Sequence, residues 1–201
     1  METVMQMDKS TREEYSDNEL ALKFSQGDER AFSRVVLRYQ KRLIQVATAI
    51  LGDEDEAMDI AQETFVRAYG NRNSFRGDSS VYTWLYRILY NLCISAIRKK
   101  KIVSFLSFDS QTERIDYPST DSGPDEYCER NEILVTVKAA MQELPVRQRT
   151  VFSMKQLEGL KHEEIAKVMG ISVGAVKASY FHAVQKLRES LKHFGGDHGM
   201  C

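Results

Sequence analysis

The segment NSFRGDSSVYTWLYRILYNLCISAIRKKK, residues 73–101, interleaves aromatic rings with cations. A helical step of about 100° per residue puts Arg87, Asn91 and Arg98 within about 40° of each other, flanked by Trp84 and Tyr90. Leu85, Leu89, Leu92 and Ala96 fall on the opposite side, with Ile88 and Cys93 at its edges. Cations hold phosphates and aromatic faces stack on unpaired bases, so the outer face suits nucleic acid. The preceding loop residues Phe75, Arg76 and Gly77 offer a place for an extruded base. Trp84 and Tyr86 taken singly read equally well as core aromatics, because large rings usually pack inside.

A second string, HEEIAKVMGISVGAVKASYFHAVQKL at residues 162–187, carries a different pattern. Ile165, Ala166 and Met169 mark the inner face of one helix. Gly170 supplies the positive φ of a sharp turn, and Ser172 can N-cap the next helix. Val176, Tyr180, Ala183 and Leu187 form an inward stripe, with Ala178, His182 and Gln185 opposite. Lys177 and Phe181 flank that outer face on one side, Ser179 and Lys186 on the other. A helix with small and polar outward residues near its N-terminus fits a DNA major groove. A plain helical hairpin is the simpler alternative. The small Ala166 beside a glycine turn weighs against it.

A third candidate is DEDEAMDIAQETFVRAYGNR, residues 53–72. Ile60, Phe65, Val66 and Tyr69 can anchor a helix and leave Asp59, Gln62 and Glu63 as an outward polar patch. That patch suits a basic protein partner rather than DNA. The acidic start also suits the helix dipole, so a merely solvated face explains it from physics alone.

These residues need helices to position them. From Asp17, N-capped by itself or by Ser16, Leu20, Phe24, Ala31, Phe32, Val35, Val36 and Tyr39 recur at helical spacing. Gly27–Asp28 separates two helices, the second running from about Ala31 to Leu51 and stopping at Gly52. Asp53 starts a helix to Tyr69, residues 70–80 form a loop, and a further helix ends in the basic run Arg98–Lys101. Residues 104–130 lose the periodicity and contain Pro118, Gly123 and Pro124, the composition of a flexible acidic linker. Helical spacing returns with Ile133, Leu134, Val137, Ala140, Met141 and Leu144, and Pro145 begins another helix. The spacing predicts an all-α chain: a flexible N-terminus (1–16), a helical domain (17–101), a linker (102–130), a second helical domain (131–191) and a tail (192–201).

The 201 residues, 42% of them hydrophobic, suffice for two small domains. Net charge is −1, but it is segregated. Residues 67–101 carry 8 basic and 1 acidic side chains, and residues 102–132 carry 2 basic and 8 acidic. Residues 133–201 return to 10 basic and 6 acidic. Such blocks predict polyanion-binding surfaces separated by regions that are not. Three distant cysteines argue against a disulfide framework and for a reducing cytoplasm. No stretch approaches the roughly 20 apolar residues of a membrane span, and the N-terminus has no apolar signal core. No Gly-rich phosphate loop, metal quartet or nucleophile–base signature is present, so neither an enzyme nor a cofactor is expected. His193, His198 and Cys201 are possible soft-metal ligands, but three on a glycine-rich tail more often bind nothing.

In combination and order, DIAQETFVRAY, SFRGDSSVYTWLYRILYN and ELPVRQRTVFSMKQLEGLKHEEIAKVMGISVGAVKASYFHAVQKL resemble regions 2 and 4 of the extracytoplasmic-function (ECF) sigma factors. The resemblance covers about residues 17–101 and 131–191. It implies a promoter-directing subunit in which residues 59–72, with Asp59, Gln62, Glu63 and Arg67, dock on the β′ coiled coil of core RNA polymerase. Phe75, Arg76, Tyr86 and Asn91 match positions at the −10 element pocket, where a non-template base is flipped out. Arg87 and Arg98 would follow the promoter backbone. Within residues 162–181 and the next turn, Lys177, Ser179, Phe181 and His182 would read the −35 element in duplex DNA, with His162 and Ser172 near phosphates. The β flap would be a second polymerase contact, and an anti-sigma factor the regulator. The linker would thread the active-centre cleft. Many relatives place arginines where this chain has Ser179, His182 and Val184, which points to a different base preference. A conventional regulator with an N-terminal receiver is the competing class, but it needs strand–helix alternation, and no buried strand run is visible.

Overall fold

The computed structural model describes residues 15–75, 80–106 and 126–195. Every regular element among them is helical. Helix α1, Asp17–Ser25, opens on Ser16: its Oγ accepts the Glu19 N–H (3.3 Å), and Glu19 Oε2 accepts the Ser16 N–H (2.8 Å). Helix α2, Glu29–Leu51, is capped by Asp28, whose Oδ1 accepts the N–H groups of Arg30 and Ala31 at 2.8 and 3.1 Å. It ends at Gly52 with φ +82°. Helix α3, Glu54–Gly70, starts on Asp53, which accepts the Glu56 N–H at 3.0 Å. A 3-10 turn, Arg72–Ser74, leads to Phe75.

Helix α4, Val81–Leu106, continues past the basic run where the spacing predicts its end. Its 26 residues span about 39 Å at 1.5 Å each. Helix α5, Glu126–Glu143, begins inside the stretch read as linker. Pro145 leads into α6, Val146–Glu158. Helix α7, His162–Met169, turns through Gly170 (φ +65°) into α8, Val173–Gly195. Ser172 Oγ accepts the Ala175 N–H at 3.2 Å, the cap expected for α8. No helix among the described residues is long and apolar enough to cross a membrane.

Helices α1–α4 form one lobe around Leu20, Phe24, Val35, Leu43, Ile50, Leu85 and Leu89, all at most 1% exposed. Helices α5–α8 form the other, with Met154, Ile165 and Val176 buried and a smaller cluster of Ala140, Met141, Leu144, Ala183 and Leu187. Buried hydroxyls are satisfied within their own helices: Thr64, Thr150 and Ser153 each donate to the carbonyl four residues back at 2.8 Å. The two lobes match the two expected helical units. Their docking is not visible in the sequence: α2 packs on α5 and α6, α4 packs on α7, and one apolar core runs continuously through both.

Candidate nucleic-acid interface

On α4, Leu85, Leu89 and Cys93 are fully buried, while Leu92 and Ala96 are half-buried, so Cys93 sits at the centre of the inner stripe rather than its edge. Burial, then the nearby Glu56 carboxylate, pushes the Cys93 thiol up to about 12. Arg87, Asn91 and Arg98 are exposed along one side, as the wheel predicts. Lys100 Nζ pairs with Glu56 Oε2 at 2.8 Å and fastens the basic end of α4 to α3.

Phe75 is half-buried against Trp84, with ring centroids 5.5 Å apart. Trp84 leans on Phe24 (6.3 Å), which stacks on Phe32 (5.0 Å), which meets Tyr69 of α3 (5.0 Å). A chain of rings therefore joins α3 to Phe75. Arg76 and Gly77 lie outside the described residues, as do His198 and Cys201 and the side chain of His193.

Tyr86 is fully buried, which corrects its placement beside an accessible base pocket. Its ring faces the second lobe, where its hydroxyl approaches the Glu158 carboxylate of α6 without an aligned hydrogen bond. Burial first, then the Glu158 charge, raises its pKa far above that of an ordinary tyrosine. Arg42 of α2 closes on the same Glu158 carboxylate at 2.6 Å, and the Glu158 side chain is 1% exposed. Burial disfavours the Arg42 charge, but Glu158, Tyr86 and Tyr39 together offset this and its pKa is raised. Tyr82 donates to Glu164 of α7, and Arg87 Nη2 donates to the Lys167 carbonyl at 2.7 Å. Glu164 also accepts the Lys161 N–H at 2.7 Å. Burial opposes its ionisation, but the Tyr82 hydroxyl and this N–H hold its carboxyl below the usual range.

On α8, Lys177, Ala178, Phe181 and His182 are exposed, with the Phe181 and His182 rings 5.6 Å apart. Ser179 is not among them. It is 7% exposed, and its Oγ donates to the Ala175 carbonyl at 2.7 Å. The reason is its register: Ser179 lies three residues after Val176 and four before Ala183, on the inward stripe. His162 is half-buried against Tyr180 (5.9 Å), with Nε2 enclosed and without a hydrogen-bond partner among the described residues. Ser172 is exposed at the helix start. Val184 lines an apolar groove of about 410 Å³ with Val137, Phe152 and Leu187. Of Ser179, His182 and Val184, only His182 is therefore on the exposed face.

On α3, Asp59, Gln62 and Arg67 are exposed and Glu63 half so, and Glu63 pairs with Arg67 at 2.7 Å. Beside them lies an open apolar groove of about 320 Å³ formed by Phe32, Val36, Phe65, Val66 and Tyr69. Phe32 and Val36 come from α2, so only the pairing of two helices reveals this surface. The amphipathic spacing of each was its one sequence signal.

The Sigma-70 region 2 family model matches residues 35–102, and the Sigma-70 region 4 model matches residues 134–187. The RNA polymerase sigma-H factor of Pseudomonas aeruginosa is 35% identical over 88% of this chain and 94% of its own length. The ECF sigma factor SigW of Bacillus subtilis is 36% identical over 83% of this chain and 91% of its own. Among solved structures, CnrH in complex with the cytosolic domain of CnrY aligns with a TM-score of 0.67 at 27% identity, covering 88% of this chain and 97% of CnrH. Sigma factor RpoE of Bartonella quintana, in complex with the anti-sigma factor NepR, aligns with a TM-score of 0.67 at 25% identity over 81% of this chain and 98% of its own. Two helical lobes, a helix-turn-helix and both family regions in order place the chain in the ECF subfamily of the sigma-70 family, the transcription initiation factors that direct RNA polymerase to promoters.

Proposed function

We propose that the two lobes divide promoter recognition between them: residues 17–101 as region 2, residues 131–191 as region 4, and residues 102–130 as the connection threading the polymerase cleft. The observation that carries this reading is the pair of exposed faces on separate lobes, Arg87–Asn91–Arg98 on α4 and Lys177–Phe181–His182 on α8. The α4 face, with Phe75 on its Trp84 support and Arg76 next to it in sequence, takes the non-template strand of the −10 element. Aromatic rings there stack on unstacked bases while cations hold phosphate. Helix α8 enters the major groove of the −35 element, with Ser172 beside a phosphate.

Asp59, Gln62, Glu63 and Arg67 form the polar rim, and the Phe32–Val36–Phe65–Val66–Tyr69 groove the apolar centre, of a surface for the polymerase β′ coiled coil. The groove beside Val184 is the seat for the β flap. An anti-sigma factor is the regulator proposed for this chain, supported by the similarity to RpoE, which is solved with one. The chain works in the cytoplasm, is not itself a catalyst and needs no cofactor.

Run-off transcription with core polymerase on candidate promoters tests the assignment. Phe75→Ala combined with Asn91→Ala should impair strand opening more than duplex binding. Unchanged activity on linear promoter DNA would remove the α4 face from the −10 role.

A further inference from the structure

Helix α2 carries a charge pattern that residue counts conceal. Residues 1–66 hold 14 acidic and 8 basic side chains, yet five of the eight, Arg30, Arg34, Arg38, Lys41 and Arg42, lie on α2, whose one acidic residue is Glu29. At about 100° per residue, Arg30, Arg34, Leu37, Arg38 and Lys41 fall within about 100° of each other, and Glu29 falls outside that arc. Arg30, Arg38 and Lys41 are exposed, Arg34 is half-exposed, and Leu37 between them is 73% exposed. Ala31, Val35, Tyr39, Leu43 and Val46 bury the other side of the helix. Phe32 and Val36, which line the groove assigned to the β′ coiled coil, also lie on that far side, so stripe and groove can be filled at once.

The cations of the stripe are held as well as aligned. Tyr15 lies at its edge: Lys23 Nζ stands 3.8 Å from the ring centroid and the Arg34 guanidinium 5.0 Å, while Arg38 donates to the Tyr15 carbonyl at 3.2 Å. These contacts order three long side chains and add the Lys23 charge to the face. Asp17 of α1 takes one cation, Arg38, at 2.5 Å, and Glu19, the other α1 carboxylate, accepts from the Ser16 N–H and hydroxyl. Neither Arg30 nor Lys41 has an ion pair among the described residues. We propose that the α2 stripe is a seat for the phosphate backbone of duplex DNA, with Arg30, Arg34 and Lys41 as phosphate contacts that read no bases. Arg30 to Lys41 spans about 16 Å, along which B-DNA presents about ten phosphates. A single strand needs an open aromatic platform, and the ring at this stripe, Tyr15, is engaged by Lys23 and Arg34. A protein partner needs apolar anchors in a packed centre, and Leu37 stands alone on an otherwise charged face. This seat is additional to the −10 and −35 assignments and independent of them.

The test is anisotropy of the full chain with a fluorescein-labelled random-sequence duplex of about 20 base pairs, from about 50 to about 200 mM KCl. Each phosphate contact adds about 0.9 to the slope of log affinity against log salt, so Arg30→Ala/Lys41→Ala should make that slope shallower by about 1.8. The gap between wild-type and variant affinity should therefore narrow by roughly 12-fold over this range. The charge-keeping exchange Arg30→Lys/Lys41→Arg should retain the wild-type slope. A charge-matched pair outside the stripe, Lys138→Ala/Lys155→Ala, should leave it unchanged. On a single strand of about 20 nucleotides, Arg30→Ala/Lys41→Ala should change the slope by less than about half a unit. An unchanged duplex slope, or an equal change from Lys138→Ala/Lys155→Ala, overturns the seat. Equal slope changes on duplex and single strand overturn its assignment to duplex DNA. Intact duplex binding with loss of binding to core polymerase overturns it in favour of an acidic protein surface.

Discussion

Gly52 and Gly170 both sit at positive φ, +82° and +65°, yet alanine should cost very different amounts at the two positions. At Gly170 an added Cβ meets nothing within 4 Å, so the penalty is left-handed backbone strain alone, ~1–2 kcal/mol. At Gly52 the same Cβ meets the Gln142 side chain of the second lobe, with Cδ and Oε1 at 2.7 Å. Gln142 is held in place: its Nε2 donates to the Ala49 carbonyl, and its Oε1 accepts from Arg149, which is 7% exposed. Displacing it weakens a charge-assisted hydrogen bond, adding ~1.5–3 kcal/mol. Gly52→Ala should therefore cost ~2.5–5 kcal/mol in total, and Gly170→Ala less than half of that.

At ~2–4 °C per kcal/mol for a chain of this size, the melting temperature should fall by roughly 10 °C for Gly52→Ala and roughly 5 °C for Gly170→Ala. Differential scanning calorimetry of the wild type, both alanine variants, Gln142→Ala and the Gly52→Ala/Gln142→Ala pair measures this. In the Gln142→Ala background the Gly52→Ala cost should drop to the Gly170→Ala value, since only strain remains. Equal losses at the two glycines, or an undiminished Gly52→Ala cost without Gln142, would refute the steric argument and the lobe contact behind it.

Three further outcomes are expected. In a Cys128→Ser/Cys201→Ser background, Cys93 should react with Ellman's reagent at pH 8 roughly 1000-fold more slowly when native than in guanidinium, because its raised pKa keeps the thiol neutral and only thiolate attacks; rates within tenfold would contradict its burial. Asp28→Ala removes the acceptor of two N–H groups at the start of α2 and should cost ~1 kcal/mol in urea unfolding at unchanged slope; no shift would mean water replaces the cap fully. Lys177→Ala should weaken binding to −35 duplex DNA and leave binding to core polymerase intact; loss of core binding instead would give α8 another task.

Local structure was legible wherever a short-range cause sets it. Ser16 and Asp53 announce helix starts, Gly52 and Gly170 announce stops, and the α8 stripe follows its 3.6-residue period. Ser179 shows chemistry overriding geometry in a sequence reading: a hydroxyl suggests the surface, while its spacing from Val176 and Ala183 puts it inside, where the Ala175 carbonyl satisfies it. Tyr86 was left between core and surface because its neighbour, Glu158, lies 72 residues away. The same holds for Tyr82 with Glu164 and Arg42 with Glu158, separated by 82 and 116 residues. No periodicity encodes such pairings, so the docking of the lobes and the α2–α3 groove had no local signal.

The shared surface on α4 has an evolutionary consequence. Tyr82 and Arg87 fit the second lobe, and on the −10 assignment Arg87 must fit a promoter strand as well. A substitution that retunes one fit also changes the other. Drift in promoter preference through Arg87 is therefore coupled to the docking of the lobes. Lys177, Phe181 and His182 carry no such double duty, since they are exposed on α8. Duplicated genes of this kind should diversify first in what α8 reads and only later, with compensating changes on α6 and α7, in what α4 melts.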